Sequence, residues 1–422
     1  MADSSTATSL PTGQDNRIDE PRRSGVIALL RVYRDYRLLW YGTLGTQGGQ
    51  WVLQIALGWL MLDLTNSEFW VGMVGFAGGI PILLFSIPAG ILIDRVDRRR
   101  ILIVCQAVLA ALGIALTVVI VMGRAEPWLL LTAAFINGIM MTVNNTTRQV
   151  IVADTVERID LPAAIALNSA GQNATRVIGP SVAGAIIGLV GLGGAFAFQA
   201  GLLGLALGLS FMISAQVAGG RVAPSNRGGV LDGVRYIWRN PVLRDLMILA
   251  TIPTLTVFPY MQLLPVYARD ILAIGPQGLG LLMAASGIGA VAGALLVANA
   301  THLPWRGLFM LLATIAYGAV IIVFAFSTSV WLSMAMLMLA GLSGSAYMSL
   351  NNALLQLNVD DDIRGRVMGV YMLTWGLMPV GALPMGAAAG LVGAPIAIAS
   401  GALISSALAA LLAIRSATLR RL

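Results

Sequence analysis

Twelve stretches of apolar residues follow one another along this chain, near 37–62, 70–93, 101–122, 128–149, 163–190, 194–215, 243–267, 277–299, 306–327, 331–356, 366–390 and 394–415. Each is close to the roughly 20 residues that a helix needs to cross the hydrocarbon of a bilayer. In lipid, every backbone amide must be satisfied inside its own segment, so a chain of this pattern spans as helices. Composition closes the soluble alternative: of 422 residues, 58% are hydrophobic and 11% charged, too little polar surface to wrap globular domains of this size. The expected fold class is therefore an all-α membrane protein with twelve transmembrane helices.

The charges assign an orientation. All 26 cationic residues are arginine. Sorted by alternate connections, 23 fall on one side, two (Arg124, Arg269) on the other, and one, Arg176, inside a stretch. Positive residues are retained on the cytoplasmic side during insertion, so both termini are expected there. Residues 1–24, rich in Ser, Thr, Asp, Gly and Pro without an apolar run, read as a disordered cytoplasmic tail and not as a signal peptide. The longest polar connection, from Gly219 to Asn240, divides the chain in two. The expected organisation is a tail (1–24), an amino-terminal six-helix half (25–216), a cytoplasmic linker (217–241), a carboxy-terminal six-helix half (242–415) and a second tail (416–422).

An internal repeat supports two pseudo-symmetric halves. Asn145, Gln149 and Asp154 recur as Asn352, Gln356 and Asp361, each offset by 207 residues, and the same offset carries the first stretch onto the seventh. Parallel repeats of this kind form transporters whose substrate site lies between the halves.

Amides and charges are costly in lipid and should face a cavity or another helix. The first, fourth, seventh and tenth stretches hold eleven such residues, including Gln47, Gln50, Gln54, Asn137, Asn144, Arg148 and Gln262; the third, sixth, ninth and twelfth hold two, Gln106 and Gln199. Gln47, Gln50 and Gln54 fall on one helical stripe, and so do Asn137, Met141, Asn144 and Arg148. The candidate cavity residues are Gln47, Gln50, Gln54, Asn137, Met141, Asn144, Gln172, Arg176, Gln262 and Tyr347. For any one amide the competing role is an interhelical hydrogen bond that holds the bundle together. Arg176 reads as the charge deepest within a stretch, on a face with Gln172, Asn173, Gly179 and Pro180, and no Asp or Glu lies mid-stretch to pair with it. Its two readings are a hydrogen-bonding hub to helix-end carbonyls, or an anion contact, substrate contact or gate.

The connection after the second stretch reads Gly90-Ile-Leu-Ile-Asp94-Arg95-Val-Asp97-Arg98-Arg99-Arg100. Positive-inside topology alone would account for the arginines, but the complete G-x-x-x-D-R-x-D-R-R-R string resembles the signature loop of the major facilitator superfamily. That resemblance implies a latch between the halves in the outward-open state. Gly179-Pro180-Ser-Val-Ala-Gly184 is similar to that superfamily's export-associated glycine-proline motif, and on physical grounds a bend and close packing belong there. Asp35-Tyr-Arg-Leu-Leu-Trp40 and Asp361-Asp-Ile-Arg364-Gly-Arg366-Val-Met368 resemble a branch containing bacterial siderophore exporters and macrolide or multidrug efflux pumps. The expected conformational gate comprises Gly90, Asp94, Arg95, Asp97, Arg98, Gly179, Pro180, Gly184, Arg364 and Arg366.

The pattern is incomplete. Proton-coupled exporters of the superfamily often carry Arg-x-x-Gln-Gly in the fourth helix, where this chain has Ala134-Phe-Ile-Asn137-Gly138. The acidic residues near the spans, Asp35, Asp63, Glu68, Asp94 and Asp270, lie at their ends. One cysteine (Cys105) and one histidine (His302) allow neither an internal disulfide nor a multi-histidine metal site, and no phosphate-binding G-x-x-x-x-G-K-[ST] motif occurs. No enzyme activity, cofactor, metal or nucleic-acid partner is expected. The function expected is secondary active export of an amphipathic or hydrophobic small molecule, drug-like or a siderophore, by proton antiport with alternating access. Its place is the bacterial cytoplasmic (inner) membrane, multi-pass and monomeric, with protons and the lipid bilayer as the other partners. The alternatives are a uniporter or importer of a small metabolite, and a lipid-translocating protein.

Overall fold

A computed structural model describes residues 28–214, 230–299 and 305–421. The expected tail 1–24, the first part of the linker (217–229), His302 and Leu422 lie outside the described residues. Among the described residues all regular structure is helical. The elements are α1 (Arg34–Thr65), α2 (Glu68–Arg95), α3 (Arg98–Val121), α4 (Pro127–Thr155), α5 (Leu161–Phe211), α6 (Val230–Arg239), α7 (Pro241–Ile271), α8 (Gly275–Asn299), α9 (Arg306–Ala325) and α10 (Val330–Leu357). They are followed by α11, in two pieces (Asp361–Trp375 and Met378–Val392), and α12 (Ala394–Arg415).

Ten helices, α2 to α5 and α7 to α12, are long and apolar enough to cross a membrane. Helix α1 falls below that hydropathy because of its amides, yet its 32 residues run through the centre of the molecule with Leu53, Ala56, Met61 and Leu62 fully buried. The 51-residue α5 breaks at Gly191, whose backbone (φ 73°, ψ −178°) only glycine adopts without strain. Helix α11 is interrupted between Trp375 and Met378, just before Pro379, which has no N–H to continue the ladder. Prolines also divide α7, which ends in a π-helical turn, Tyr267–Ile271. Helix α1 ends where Asn66 takes the left-handed conformation that asparagine tolerates (φ 48°). The start of α3 is capped by Asp97, whose Oδ1 accepts from the Arg100 amide at 3.1 Å.

Apolar packing falls into three main regions. Leu29, Leu39, Leu102, Ile151 and Ala164 form a cluster drawn only from the chain up to Ile213. Leu243, Leu246, Met310, Leu355, Val367 and Ala409 form one drawn only from Ile237 onward. Both lie at the end of the molecule where α1 begins and α12 finishes, which is also where the arginines concentrate. At the opposite end a single larger cluster takes Leu62, Val71, Phe196, Leu264, Leu279, Phe324 and Ala394 from both groups. The two groups of helices thus pack separately at the arginine-rich end and together at the other.

The described part of the expected linker carries a helix, α6, with Ile237 buried against α7 and Trp238 exposed, and Arg235 and Arg239 alternating with these apolar positions. Its apolar face is balanced by Asp232, Arg235 and Arg239, and ten residues of near-neutral average hydropathy do not stand out beside spans of 20 to 30 apolar residues.

Candidate functional site

Two cavities lie between the helix groups. The larger, about 380 Å³, is walled mainly by α7, α8, α10 and α11, with Phe258, Tyr260, Tyr317 and Trp375 among its lining; Asn173 and Arg176 reach it from α5. The smaller, about 220 Å³, is lined by Gln50, Gln54, Asn137, Gln262, Gly75, Gly79 and Pro379. Trp375, the last residue before the interruption of α11, belongs to both. Phe258 holds it in place, with ring centroids 5.9 Å apart, and packs on Tyr317 at 5.7 Å.

Of the ten candidate cavity residues, Gln50, Gln54, Asn137 and Gln262 come together around the smaller cavity, where Asn137 Nδ2 donates to Gln50 Oε1 at 3.0 Å. Arg176 lines the larger one. Tyr347 lies behind its wall, stacked on Tyr317 with centroids 6.4 Å apart. Gln47 and Gln172 are partly buried and line neither cavity. Met141 is buried against Leu109, Ala110 and Leu203 inside the amino-terminal group. Asn144 is fully buried in a hydrogen-bond network, so for it the interhelical role is the one its contacts describe.

That network holds a second arginine of the spans, buried more completely than the half-buried Arg176. Arg148 is 4% exposed. Its Nη1 donates to the Leu39 carbonyl at 3.0 Å and to Thr43 Oγ1 at 2.9 Å, its Nη2 to Thr46 Oγ1 at 3.3 Å and its Nε to Asn144 Oδ1 at 3.4 Å. Gln106 joins by donating to Thr46 Oγ1 and to Asn144 Oδ1. Arg148 sits close enough to the end of α4 to read as a positive-inside residue; the signal that distinguishes it is its place on the Asn137–Asn144 stripe.

The seam at the closed end is made by residues without side-chain bulk. A methyl group built on Gly184 would stand 2.5 Å from the Pro276 carbonyl oxygen, and one on Gly280 would stand 2.7 Å from that of Pro180. The expected glycine-proline motif is therefore where α5 crosses α8 of the other group. Gly179 gives the same clearance to Trp51 on α1. Helices α2 and α11 cross with Gly72 against Gly386 and Gly79 against the ring of Pro379. Across the same end, Arg269 Nη1 donates to the Leu62 carbonyl at 2.8 Å and lies 3.5 Å from Asp63, Nη2 donates to Asn66, and Nε pairs with Asp270 at 2.7 Å. Sequence reading counted Arg269 only as an exception to the charge bias.

The signature-loop residues occupy the other end. Gly90 on α2, and Gly365 and Gly369 on α11, have nothing within 4 Å of where a side chain would begin, so the groups stand apart there. Asp97 caps α3, and Arg98 is buried in a 2.5 Å ion pair with Asp154 at the end of α4. Arg95 is exposed. Arg366 lies 3.7 Å from Asp232 on α6, and Arg364 Nη2 reaches the Val359 carbonyl at 3.5 Å. The side chain of Asp361, the repeat partner of Asp154, lies outside the described residues. The geometry is that of a bundle closed at one end, open at the arginine-rich end, and hollow between.

Comparison with known proteins agrees with this geometry. The profile of the transmembrane secretion effector family, MFS_3, matches residues 27–421. The chain is 26% identical to a staphyloferrin A transporter of Staphylococcus aureus (80% of this chain, 85% of the relative). It is also 26% identical to the multidrug efflux pump Tap of Mycolicibacterium fortuitum (84% and 90%) and 22% identical to macrolide efflux protein A of Streptococcus pyogenes (79% and 83%). Its fold is similar to a POT family transporter crystallised with a thioalcohol-conjugated peptide, with TM-score 0.74 and 12% identity over 92% of this chain and 96% of that one. It is similar also to the nucleoside transporter NupG, with TM-score 0.68 and 14% identity over 90% and 98%. Hollow between two helix groups, carrying the signature loop and matched over nearly its whole length, the chain belongs to the transmembrane secretion effector family of the major facilitator superfamily.

Proposed function

We propose that this protein exports an amphipathic or hydrophobic small molecule across the bacterial inner membrane by alternating access coupled to proton entry. The observation that carries the reading is the pair of cavities between helix groups that meet at one end and part at the other. With α5 crossing twice about Gly191 and α1 crossing once, the chain spans twelve times, as halves 25–216 and 242–415 joined by 217–241. Both tails, 1–24 and 416–422, are cytoplasmic, and the protein acts as a monomer. The arginine-rich end then faces the cytoplasm, and the conformation described is open inward. The seam of Gly72, Gly79, Gly184 and Gly280 with the Arg269 contacts is the outer gate; the signature loop is the inner one, engaged when the halves close on the cytoplasmic side. The relatives that are efflux proteins, Tap and macrolide efflux protein A, support export.

The test is substrate-induced proton movement in everted membrane vesicles. Addition of a transported compound should release protons from energised vesicles carrying the protein and not from vesicles carrying Asp94→Asn. One observation favours a second reading: among the described residues no Asp or Glu lines either cavity, which suits a uniporter. Entry of the compound down its own gradient without proton release would select it.

A further inference from the structure

We infer that the larger cavity selects amphipathic anions, the carboxylate or a like-charged group of the ligand seated on Arg176 and its flat apolar body on the wall of Phe258, Tyr317 and Trp375. This deepens the transport reading above and rests on it for the direction of movement, though not for the binding.

Arg176 lines a 380 Å³ space together with the phenols of Tyr260 and Tyr317 and, among the described residues, neither donates a hydrogen bond nor forms an ion pair. Three other arginines withdrawn from solvent have acceptors: Arg98 has Asp154, Arg269 has Asp63 and Asp270, and Arg148 has four oxygens. A guanidinium left without an acceptor in a space between helices is unfavourable unless water or a ligand supplies one. Among the described residues no carboxylate lines either cavity, so a cationic ligand would meet repulsion from Arg176 and no counter-charge, whereas an anion meets the attraction of the guanidinium. Around the anion, Ser345, Asn173 and Asn352 offer neutral donors, and Tyr260 and Ser286 lie 3.4 Å apart on the same wall. The volume suits a drug-sized body. Arg176 comes from the amino-terminal group and the aromatic wall from the carboxy-terminal one, so a seated anion bridges the two elements whose relative movement is transport.

The binding test uses full-length protein in phosphatidylcholine nanodiscs at pH 7.5. Tryptophan fluorescence reports titration with 1-naphthaleneacetate, its methyl ester, and 2-(1-naphthyl)ethylamine. The acid should bind roughly ten- to a hundredfold more tightly than the ester, the range of one charge-assisted contact, and more tightly still than the amine. Arg176→Gln should bring acid and ester within about twofold. Asn173→Asp, which places a carboxylate beside the guanidinium without removing it, should do the same and covers the case in which Arg176→Gln does not fold. Equal binding of the three probes by the unmutated protein, or an acid preference that survives both variants, overturns the assignment. Repeating the titration in phosphatidylglycerol nanodiscs separates a soluble anion from a lipid phosphate: retained acid binding supports the proposal, and abolished binding gives the subsite to lipid and overturns it. Counterflow of the acid in proteoliposomes addresses the transport reading on its own. Acid that binds with the Arg176-dependent preference but is not moved defeats the exporter and leaves the subsite standing.

Discussion

Arg269 donates a 2.8 Å hydrogen bond to the main-chain carbonyl of Leu62, the residue 207 positions earlier and therefore its own counterpart in the internal repeat. One turn away, Gly58 faces Pro265, again 207 residues apart, with 3.3 Å between a methyl group on the glycine and the proline ring. Equivalent positions of two repeats touch only on the axis that relates them. Helices α1 and α7 thus cross on that axis, and Arg269 fastens them at the closed end.

Arg269→Ala should loosen that end. The lost contacts are partly exposed, so a cost of about 1–2 kcal/mol is expected, equivalent to roughly five- to thirtyfold in the closed-to-open ratio. In a Cys105→Ser background, Gln54→Cys in the smaller cavity should react correspondingly faster with an impermeant maleimide applied outside intact cells. An unchanged rate would mean that Arg269 does not hold the gate.

Gly184→Val should strain the α5–α8 crossing, since its first added carbon already falls 2.5 Å from the Pro276 oxygen. Overpacking of this kind costs about 1–3 kcal/mol. The purified variant should unfold at lower temperature, whereas Gly201→Val, where nothing lies within 4 Å, should not. Equal melting of the two would show that the crossing yields freely.

Gly90→Leu separates the two conformations. Its position is open here, so the thermal stability of the inward-open form should be unchanged while transport is lost, because the bulk blocks closure of the cytoplasmic side. Transport at the normal rate would remove the latch assigned to the signature loop.

The buried network makes an ordered prediction. Asn144→Leu removes an acceptor and leaves the guanidinium of Arg148 in place, a loss of about 1–3 kcal/mol. Arg148→Leu removes the charge itself and installs the residue type found at the repeat counterpart, fully buried Leu355, so it should destabilise less. Thermal melts of the two purified variants decide the order.

The helical architecture was legible because lipid imposes it: apolar length is a one-dimensional property, and residue 191, where α5 breaks, falls between two separately read stretches. Of the two polar stripes, on α1 and α4, Gln50, Gln54 and Asn137 line the smaller cavity, in keeping with the rule that an amide in lipid must have company. The aromatic wall was not. Tyr260, Tyr317 and Trp375 are as suited to lipid or core as to a cavity, and only the interruption of α11 before Pro379 turns Trp375 inward. Arg269 escaped notice because its partners, a carbonyl and the end of α1, belong to tertiary structure. Met141 and Asn144 share a helical stripe with Asn137 yet sit one to two turns nearer the arginine-rich end, where α4 contacts α3 and not a cavity.

The most direct test of the account is efflux from energised cells of a panel of lipophilic acids, esters and amines, with and without a protonophore, comparing the protein with Asp94→Asn. The account predicts extrusion that collapses under the protonophore and in the variant. Equal retention of every compound in cells with and without the protein, or extrusion indifferent to both treatments, would contradict it.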